Sequence, residues 1–302
     1  MSTPPFLRLP GCARALRVTT ARGEFAALWA EPAEPSEPVR GTALLVPGFT
    51  GSKEDFIALL EPLAAAGYRV LAVDQRGQYE TGGPADPAAY AIDELARDVL
   101  ALTEWLAERP AAHGTDGGTA PLHLLGHSFG GQVVREAVLA AAATGRPLPW
   151  RSLTLLATGP GAIDPAEATR TKLLVDALES MDLESIWQVM QQMEEGSGSR
   201  PDELHPEVAE FLHRRWLANV PVCLRTAGAH LISAPDRVAE LSEVDLPKLV
   251  LSGVRDYAWP VELQSTMAEL LAARRVVVED AGHSPNAEQP AATAAALVDF
   301  WA

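Results

Sequence analysis

The sequence Pro121-Leu122-His123-Leu124-Leu125-Gly126-His127-Ser128-Phe129-Gly130-Gly131 decides the fold of this 302-residue chain. A short apolar run ends in Gly-His-Ser-Phe-Gly and passes directly into a helical pattern over 132–139, which predicts a strand, a tight turn and a helix. Gly126 and Gly130 flank the turn because strand and helix nearly touch there, so that a Cβ would clash. Such a turn, a nucleophile elbow, holds Ser128 in a strained conformation with its hydroxyl clear of the sheet. The alternative is a serine in an ordinary surface turn.

Composition sets the broad class of protein. Apolar residues make up 47% of the chain, enough for a full core, and the formal net charge of −16 disfavours nucleic acid and anionic membranes, which require a basic face. Cys12 and Cys223 lie far apart in the sequence and predict neither a disulfide framework nor a metal site. Residues 1–18 lack the apolar segment of a signal peptide, and no apolar run approaches the ~20 residues of a membrane helix. We therefore expect a cytoplasmic protein; its oligomeric state does not follow from the sequence.

Apolar runs alternate with helical patterns on both sides of the elbow, which predicts an α/β fold with a doubly wound, mostly parallel sheet. A hairpin of two short strands, 15–19 and 25–30, precedes the alternation. The other predicted strands, besides the one before Ser128, are 42–46, 69–74, 153–157, 248–252 and 275–279. The predicted helices, besides the one after Ser128, are 55–66, 90–109, 261–272 and 287–301.

The stretch from about 161 to 245 interrupts this alternation, because it contains helical patterns and no convincing strand. The patterns cover 166–180, 183–193 and 204–218, with a flexible joint at 196–199, and a second flexible connector is predicted at 110–120. A structureless loop of this length would be unusual in a compact domain. We therefore interpret 161–245 as a helical cap inserted into a core formed by 1–160 and 246–302.

A serine hydroxyl needs a base to become a nucleophile, and the base needs an acid to orient it. Of the seven histidines, His283 is the candidate base. It follows the predicted strand 275–279 in a turn that contains Gly282 and Pro285, at the sheet edge where the elbow also lies. His123 is expected to be buried packing, and the side chain of His127 is expected to point away from that of Ser128.

The candidate acid is Asp256, which follows the predicted strand 248–252. The chain order of nucleophile, acid and base is then the one expected when the nucleophile comes first. Asp164, after strand 153–157, is the second candidate, whereas Asp280 is assigned to a strand end. Asp256 could instead be a loop carboxylate paired with Arg255.

Attack by a serine on a carbonyl creates an oxyanion, which needs fixed N–H donors. The backbone of Phe129, directly after the candidate nucleophile, is expected to supply one donor. The second is expected from Phe49, in the loop after strand 42–46, where Gly48 permits the turn. The side chain of Phe49 can form an apolar wall of the site at the same time.

Together these segments resemble the α/β-hydrolase family, in its serine-nucleophile branch with a helical cap (esterase- and lipase-like). Two departures from the family pattern stand out. Pro47 occupies a place where the family often has histidine, which should alter the hydrogen bonds that support the oxyanion loop. The loop after 74–77 is also unusual, and either Tyr79 or Glu80 could reach the pocket unless the loop is simply solvated. The matching segments are Leu45–Ser52, Asp74–Gly77, Gly126–Gly131, Leu251–Asp256 and Gly282–Pro285.

The resemblance implies a serine hydrolase that cleaves a small, largely apolar carboxylic ester or lactone, with amides as a further class, through an acyl-enzyme and without a metal or organic cofactor. The same three residues would serve acyl transfer or cofactor-free perhydrolysis of the haloperoxidase type, and a non-catalytic binding protein is the third reading. In cap-bearing relatives the small-molecule substrate lies between cap and sheet. The candidate contacts are therefore Trp187, Met190, Phe211, Trp216 and Trp259, although such residues also commonly pack a cap onto a core.

Overall fold

A single eight-stranded sheet organises the residues described by the computed structural model, which are 1–33, 39–109, 120–197 and 204–302. The strand order is β1-β2-β4-β3-β5-β6-β7-β8. The strands are β1 Ala13–Thr20, β2 Gly23–Ala30, β3 Gly41–Val46, β4 Tyr68–Val73, β5 Leu122–His127, β6 Ser152–Leu156, β7 Lys248–Gly253 and β8 Arg274–Val278.

The sheet is parallel except at one edge. Strands β1 and β2 form an antiparallel hairpin, and β2 also pairs antiparallel with β4. The other six strands, in the sheet order β4-β3-β5-β6-β7-β8, pair in parallel. Four of them, β3, β4, β6 and β7, are buried at every residue. Continuous burial is typical of a parallel sheet covered on both faces. The predicted α/β class and mostly parallel sheet are confirmed.

Helices cover both faces of the sheet, and most lie within a few residues of their predicted positions. Short 3-10 turns at Lys53–Phe56 and Pro87–Tyr90 precede α1 and α2. The predicted closing helix is two helices, because Pro290 disfavours helical backbone at Gln289. The helices are α1 Ile57–Ala65, α2 Ile92–Ala107, α3 Phe129–Ala142, α4 Pro165–Ala177, α5 Leu183–Ser197, α6 Pro206–Leu217, α7 Pro221–Ser233, α8 Val238–Ser242, α9 Val261–Leu270, α10 Pro285–Glu288 and α11 Pro290–Trp301.

Helices α4 to α8 fill the described part of the predicted cap, and no strand occurs in that part. Two of them, α7 and α8, were not predicted. Helix α7 packs against α4 so closely that a Cβ on Gly228 would lie 2.7 Å from Val175 Cγ2, and this packing supports a helix whose own sequence contains glycine. Most of the connector predicted at 110–120, and half of the joint predicted at 196–199, lie outside the described residues. No helix in the described ranges is both long and apolar enough to cross a bilayer.

Side chains of the central strands alternate between two cores, one on each face of the sheet. Leu44 and Val46 of β3 join the core under α2 and α3, whereas Ala43 and Leu45 join the core under α1 and α11. This is the two-residue period of a strand, applied to a sheet that is buried on both sides. Because these strands run parallel, their carboxyl ends meet at one edge of the sheet, and the turn that carries Ser128 lies at that edge.

His123 is part of the packed core, as predicted. Its ring is 1% exposed and packs against Tyr68 and Trp301, with ring centroids 5.8 and 5.1 Å away, and its Nδ1 lies 2.8 Å from Ser152 Oγ. Burial, assisted by the charge of Arg151, lowers the pKa of His123 to about 4.

We expect His123→Asn to weaken the acid sensitivity of the fold. The folded pKa of His123 lies below the value of about 6.5 in an unfolded chain, so the unfolded state binds the extra proton as the pH falls from 6.5 towards 4. Each pH unit in that window costs about 1.4 kcal/mol for this one group, and no such loss occurs above it. Urea unfolding at pH 7 and pH 5 should show a drop in unfolding free energy that is roughly 2 kcal/mol smaller in the variant. Equal drops in the two proteins would contradict this.

Candidate active site

The turn between β5 and α3 has the geometry predicted for a nucleophile elbow, because Ser128 adopts φ 54° and ψ −122°, outside the usual backbone regions. A Cβ on Gly126 would lie 2.2 Å from the carbonyl oxygen of Gly130, so only glycine fits. A Cβ on Gly130 would lie 2.4 Å from the carbonyl oxygen of Pro47, in the loop after β3. The same close packing that strains the serine therefore places it beside that loop.

Ser128, His283 and Asp256 meet at the carboxyl edge of the sheet, after β5, β8 and β7 respectively. His283 Nε2 lies 2.9 Å from Ser128 Oγ, and His283 Nδ1 lies 2.9 Å from Asp256 Oδ1. An ionised carboxylate can only accept, so Nδ1–H donates to Asp256 and the free Nε2 can accept the serine proton. The geometry is that of a nucleophile, its base and an orienting acid.

The Asp256 carboxylate is fully buried and bound on both oxygens. Besides His283, the backbone amides of Ala258 and Trp259 donate to Oδ1 at 2.9 and 3.2 Å, and Gln264 Nε2 donates to Oδ2 at 2.9 Å. Burial by itself would raise the pKa of Asp256, but these hydrogen bonds, foremost that from His283, outweigh it and hold the pKa below its ordinary value. Asp256 is therefore ionised at neutral pH. Gln264 was missed by the sequence analysis, and no motif points to it.

The other acid candidates have different partners. Asp164 is the N-cap of α4, where Oδ1 accepts from the amide of Ala166 at 2.9 Å. Asp280 follows β8 with φ 57° and has no described bond to His283. The described contacts of Asp256 do not include Arg255. Of the three carboxylates, only Asp256 lies within hydrogen-bond distance of the histidine ring.

His127 forms a hydrogen bond with the backbone of the candidate base. Its Nε2–H donates to the backbone carbonyl of His283 at 2.8 Å, and its ring is 2% exposed. Burial, reinforced by the neighbouring His283, lowers the pKa of His127 to about 3, so the ring stays neutral. The side chain is directed at the loop that carries His283, a role that the sequence analysis did not predict.

The loop after β3 lies against the elbow at the predicted oxyanion position. A Cβ on Gly48 would lie 2.9 Å from Ser128 Cβ, which brings the next peptide next to the nucleophile. In the described part of the chain, the amide nitrogens of Phe49 and Phe129 have no backbone acceptor. Both are thus available to an incoming oxygen atom.

An apolar cavity of about 460 Å³ opens from Ser128 and His283 towards the helices that follow β6. Of the five predicted contacts, Met190, Trp216 and Trp259 line it, as does the side chain of Phe49. The remaining apolar lining comes mainly from α4 and α5: Leu173, Leu174, Ala177, Ile186, Val189 and Met193.

Trp187 and Phe211 do not line this cavity, which corrects their prediction as contacts. Phe211 is 1% exposed and packs with Val208 and Leu212, and Trp187 stacks on His213 at 5.1 Å between ring centroids. Helical spacing places such side chains on an apolar face without indicating which neighbour that face meets.

Neither Tyr79 nor Glu80 reaches the cavity. Tyr79 packs edge-on against Phe211 with ring centroids 5.6 Å apart, and Glu80 Oε2 pairs with Lys53 Nζ at 2.8 Å. The loop after β4 is thus neither part of the pocket wall nor merely solvated. Across the described ranges, no group of three or more His, Cys, Asp or Glu side chains is placed to hold a metal ion.

Comparison with known proteins gives a consistent picture. The family model described as "Alpha/beta hydrolase family" matches residues 43–296. A curated protein named "Putative carbamate hydrolase RutD", from Variovorax paradoxus (strain S110), is 37% identical over 97 residues. That match spans 32% of this chain and only 32% of the curated protein.

Solved structures agree over nearly the whole chain. A hydrolase from Pseudomonas aeruginosa PA01 superposes with a TM-score of 0.72 at 24% identity, covering 95% of this chain and 98% of its own. A thermophilic esterase from Thermogutta terrifontis gives 0.68 at 24% identity over 95% and 97% of the two chains. The enol-lactonase from Burkholderia xenovorans LB400 gives 0.70 at 18% identity over 94% and 99%. At these identities the likeness concerns the fold.

Proposed function

Because this chain belongs to the alpha/beta hydrolase family, we propose that it is a serine hydrolase that cleaves a small, largely apolar carboxylic ester or lactone through an acyl-enzyme. One observation carries the proposal. The hydroxyl of Ser128 lies 2.9 Å from an imidazole that a buried carboxylate orients, and Ser128 lines a largely apolar cavity.

The proposed reaction uses each of these groups in turn. Ser128 Oγ attacks the carbonyl carbon while His283 Nε2 takes its proton, and Asp256 stabilises the resulting imidazolium. The amides of Phe49 and Phe129 bind the oxyanion. His283 then protonates the leaving oxygen, and a water molecule, deprotonated by the same imidazole, releases the acid and regenerates the serine.

The cavity supports an apolar substrate. Its apolar wall comes mainly from leucine, isoleucine, valine and methionine side chains of α4 and α5, with Trp216 from α6, whereas Asp55, Glu167 and Arg170 are among the polar residues that also line it. Burying an acyl chain there removes apolar surface from water, which favours binding by about 25 cal/mol for each Å² buried. The fold neighbours named as an esterase and an enol-lactonase, and the partial match to a protein named as a carbamate hydrolase, motivate testing all three carbonyl classes.

We expect a fluorophosphonate to label the purified protein stoichiometrically, with the added mass on Ser128. An activated serine displaces fluoride from phosphorus, whereas an unactivated one does not react. Intact-mass spectrometry and peptide mapping provide the measurement, and His283→Ala should slow the labelling by on the order of 10³-fold. A folded protein that refuses the label would favour a binding role for the same pocket.

The substrate class follows from a parallel screen with p-nitrophenyl esters of graded chain length, lactones, carbamates and anilides. Added alcohols or hydrogen peroxide compete with water for the acyl-enzyme. Free acid as the dominant product supports hydrolysis. Dominant transfer to the added acceptor would instead support the acyltransferase or perhydrolase reading of the same three residues.

A further inference from the structure

Two buried glutamines hold the loop that carries Phe49. Gln75 Nε2 donates to the carbonyl of Pro47 at 2.8 Å, and Gln78 Nε2 donates to the carbonyl of Gly48 at 2.8 Å. Both side chains lie in the loop after β4 and are 6% and 3% exposed. We call this pair, Gln75 and Gln78, the glutamine clamp.

The orientation of the clamp is determined by its partners. A backbone carbonyl can only accept, so the amide nitrogen of each glutamine must face the loop. The oxygen of the same Gln78 carboxamide agrees with this orientation, because Oε1 accepts from the backbone amide of Gln75 at 3.1 Å. Both polar atoms of the Gln78 carboxamide are therefore paired, the nitrogen with the loop after β3 and the oxygen with the loop after β4.

The carbonyl of Gly48 and the N–H of Phe49 belong to one planar peptide group. Fixing the oxygen of this group fixes the direction of its N–H, and a hydrogen bond to the oxygen also polarises the N–H in a low-dielectric site. Glycine gives the loop little stiffness of its own, yet no Cβ is tolerated at residue 48, with Ser128 Cβ only 2.9 Å away. Its stiffness must come from the hydrogen bonds that its carbonyl groups accept.

We infer that Gln78 is a positioning residue for the oxyanion hole, acting through the Gly48–Phe49 peptide, and that Gln75 fixes the peptide before it. This rests on the proposed function, in which the Phe49 amide binds the oxyanion. The clamp also occupies the region whose hydrogen bonding we expected Pro47 to alter.

The loop has other anchors, so loss of Gln78 should loosen one peptide and not unfold the segment. The amide of Gly51 also donates to the carbonyl of Gly48, at 3.1 Å, and the amide of Ser52 donates to Asp55 Oδ2 at 3.3 Å. A positioning role then predicts a specific pattern. Affinity for the planar ground state should persist, whereas stabilisation of the oxyanion should fall.

The test replaces Gln78 with methionine, which keeps the length and volume of the side chain and removes the donor. For a p-nitrophenyl ester that the wild type hydrolyses, we expect kcat to fall about 10-fold, below the 10²- to 10³-fold typical of losing a whole donor. KM should change less than about 3-fold. The Ki of a trifluoromethyl ketone should rise about 10-fold in parallel with the fall in kcat, because Ser128 Oγ adds to its carbonyl and leaves an oxyanion.

Gln132→Met is the matched control. Gln132 is also a fully buried glutamine whose Nε2 donates to a backbone carbonyl, that of Gly161 at 2.7 Å, which lies outside the oxyanion loop. It should lose similar stability without the coupled change in kcat and Ki. If Gln78→Met does not fold, Gln75→Met takes its place in the test. For that variant we expect kcat to fall and Ki to rise by about 3-fold each.

The outcomes separate the two hypotheses. A Ser128→Ala variant that stays active would refute the proposed function itself. An inactive Ser128→Ala variant, combined with clamp variants whose kcat and Ki match those of Gln132→Met, would overturn the positioning role alone. An increase in KM without any change in Ki would also overturn it, because that pattern indicates a damaged pocket.

Discussion

Ser128→Ala is expected to lower kcat for a p-nitrophenyl ester by on the order of 10⁴-fold or more. The proposed mechanism forms its covalent intermediate on Ser128 Oγ, and the variant cannot form that intermediate. What activity remains would come from the oxyanion donors and the pocket, which bind the substrate with or without the hydroxyl. Single-turnover kinetics at high enzyme concentration would measure this residual activity.

The fold should survive this change, because alanine occupies the elbow with the same Cβ. Thermal unfolding of the variant checks the point. Ser233→Ala is a suitable control, since Ser233 Oγ only donates to the carbonyl of Ala229 on α7, at 2.9 Å, on the surface. A Ser128→Ala variant as active as Ser233→Ala would refute the mechanism.

Asp256→Asn should lower kcat by a comparable factor, on the order of 10⁴-fold. Asparagine fits the site but carries no charge, so the imidazolium formed during attack loses its partner. Its NH₂ group can also donate to His283 Nδ1, which would leave the proton on Nε2 and prevent that atom from accepting the serine proton. Initial rates across pH 6–9 measure the loss.

Asp164→Asn tests the same prediction from the other side. Asp164 was the second candidate for the acid, but in the structure it caps α4. Its replacement should cost little, since asparagine is also a good N-cap. Loss of activity in Asp164→Asn with an active Asp256→Asn would reverse the assignment.

The contrast between these two carboxylates shows how far sequence reasoning reaches. Both follow a buried strand, so both emerge at the carboxyl edge of the sheet. Chain order fits either carboxylate, because both lie between Ser128 and His283, and only the path of the loops decides which one meets the histidine. Asp164 turns away because it binds the first turn of the helix that follows it.

The side chains that orient the candidate site were harder to predict from the sequence than the acid. Gln264, Gln75, Gln78 and His127 each make a hydrogen bond that orients the site, and the sequence predicted none of these roles, although Gln75 and His127 lie within segments that carry the family resemblance. Each of these hydrogen bonds joins residues that are far apart in the chain or are brought together by the path of a loop. The pocket contacts follow the same rule: helical spacing singled out Trp187 and Met190 alike, and only Met190 lines the cavity.

By itself, the sequence determined the strands, most of the helices, the turn at Ser128 and the sheet edge where the candidate site forms. These features depend on side-chain period, glycine at a close approach and turn chemistry, all of which act over a few residues. Only the tertiary structure decided which acid meets the base, which side chains line the cavity and which amides brace the oxyanion loop. Such contacts require donor and acceptor to meet at about 3 Å, and that distance is set by the packing of segments far apart in the chain.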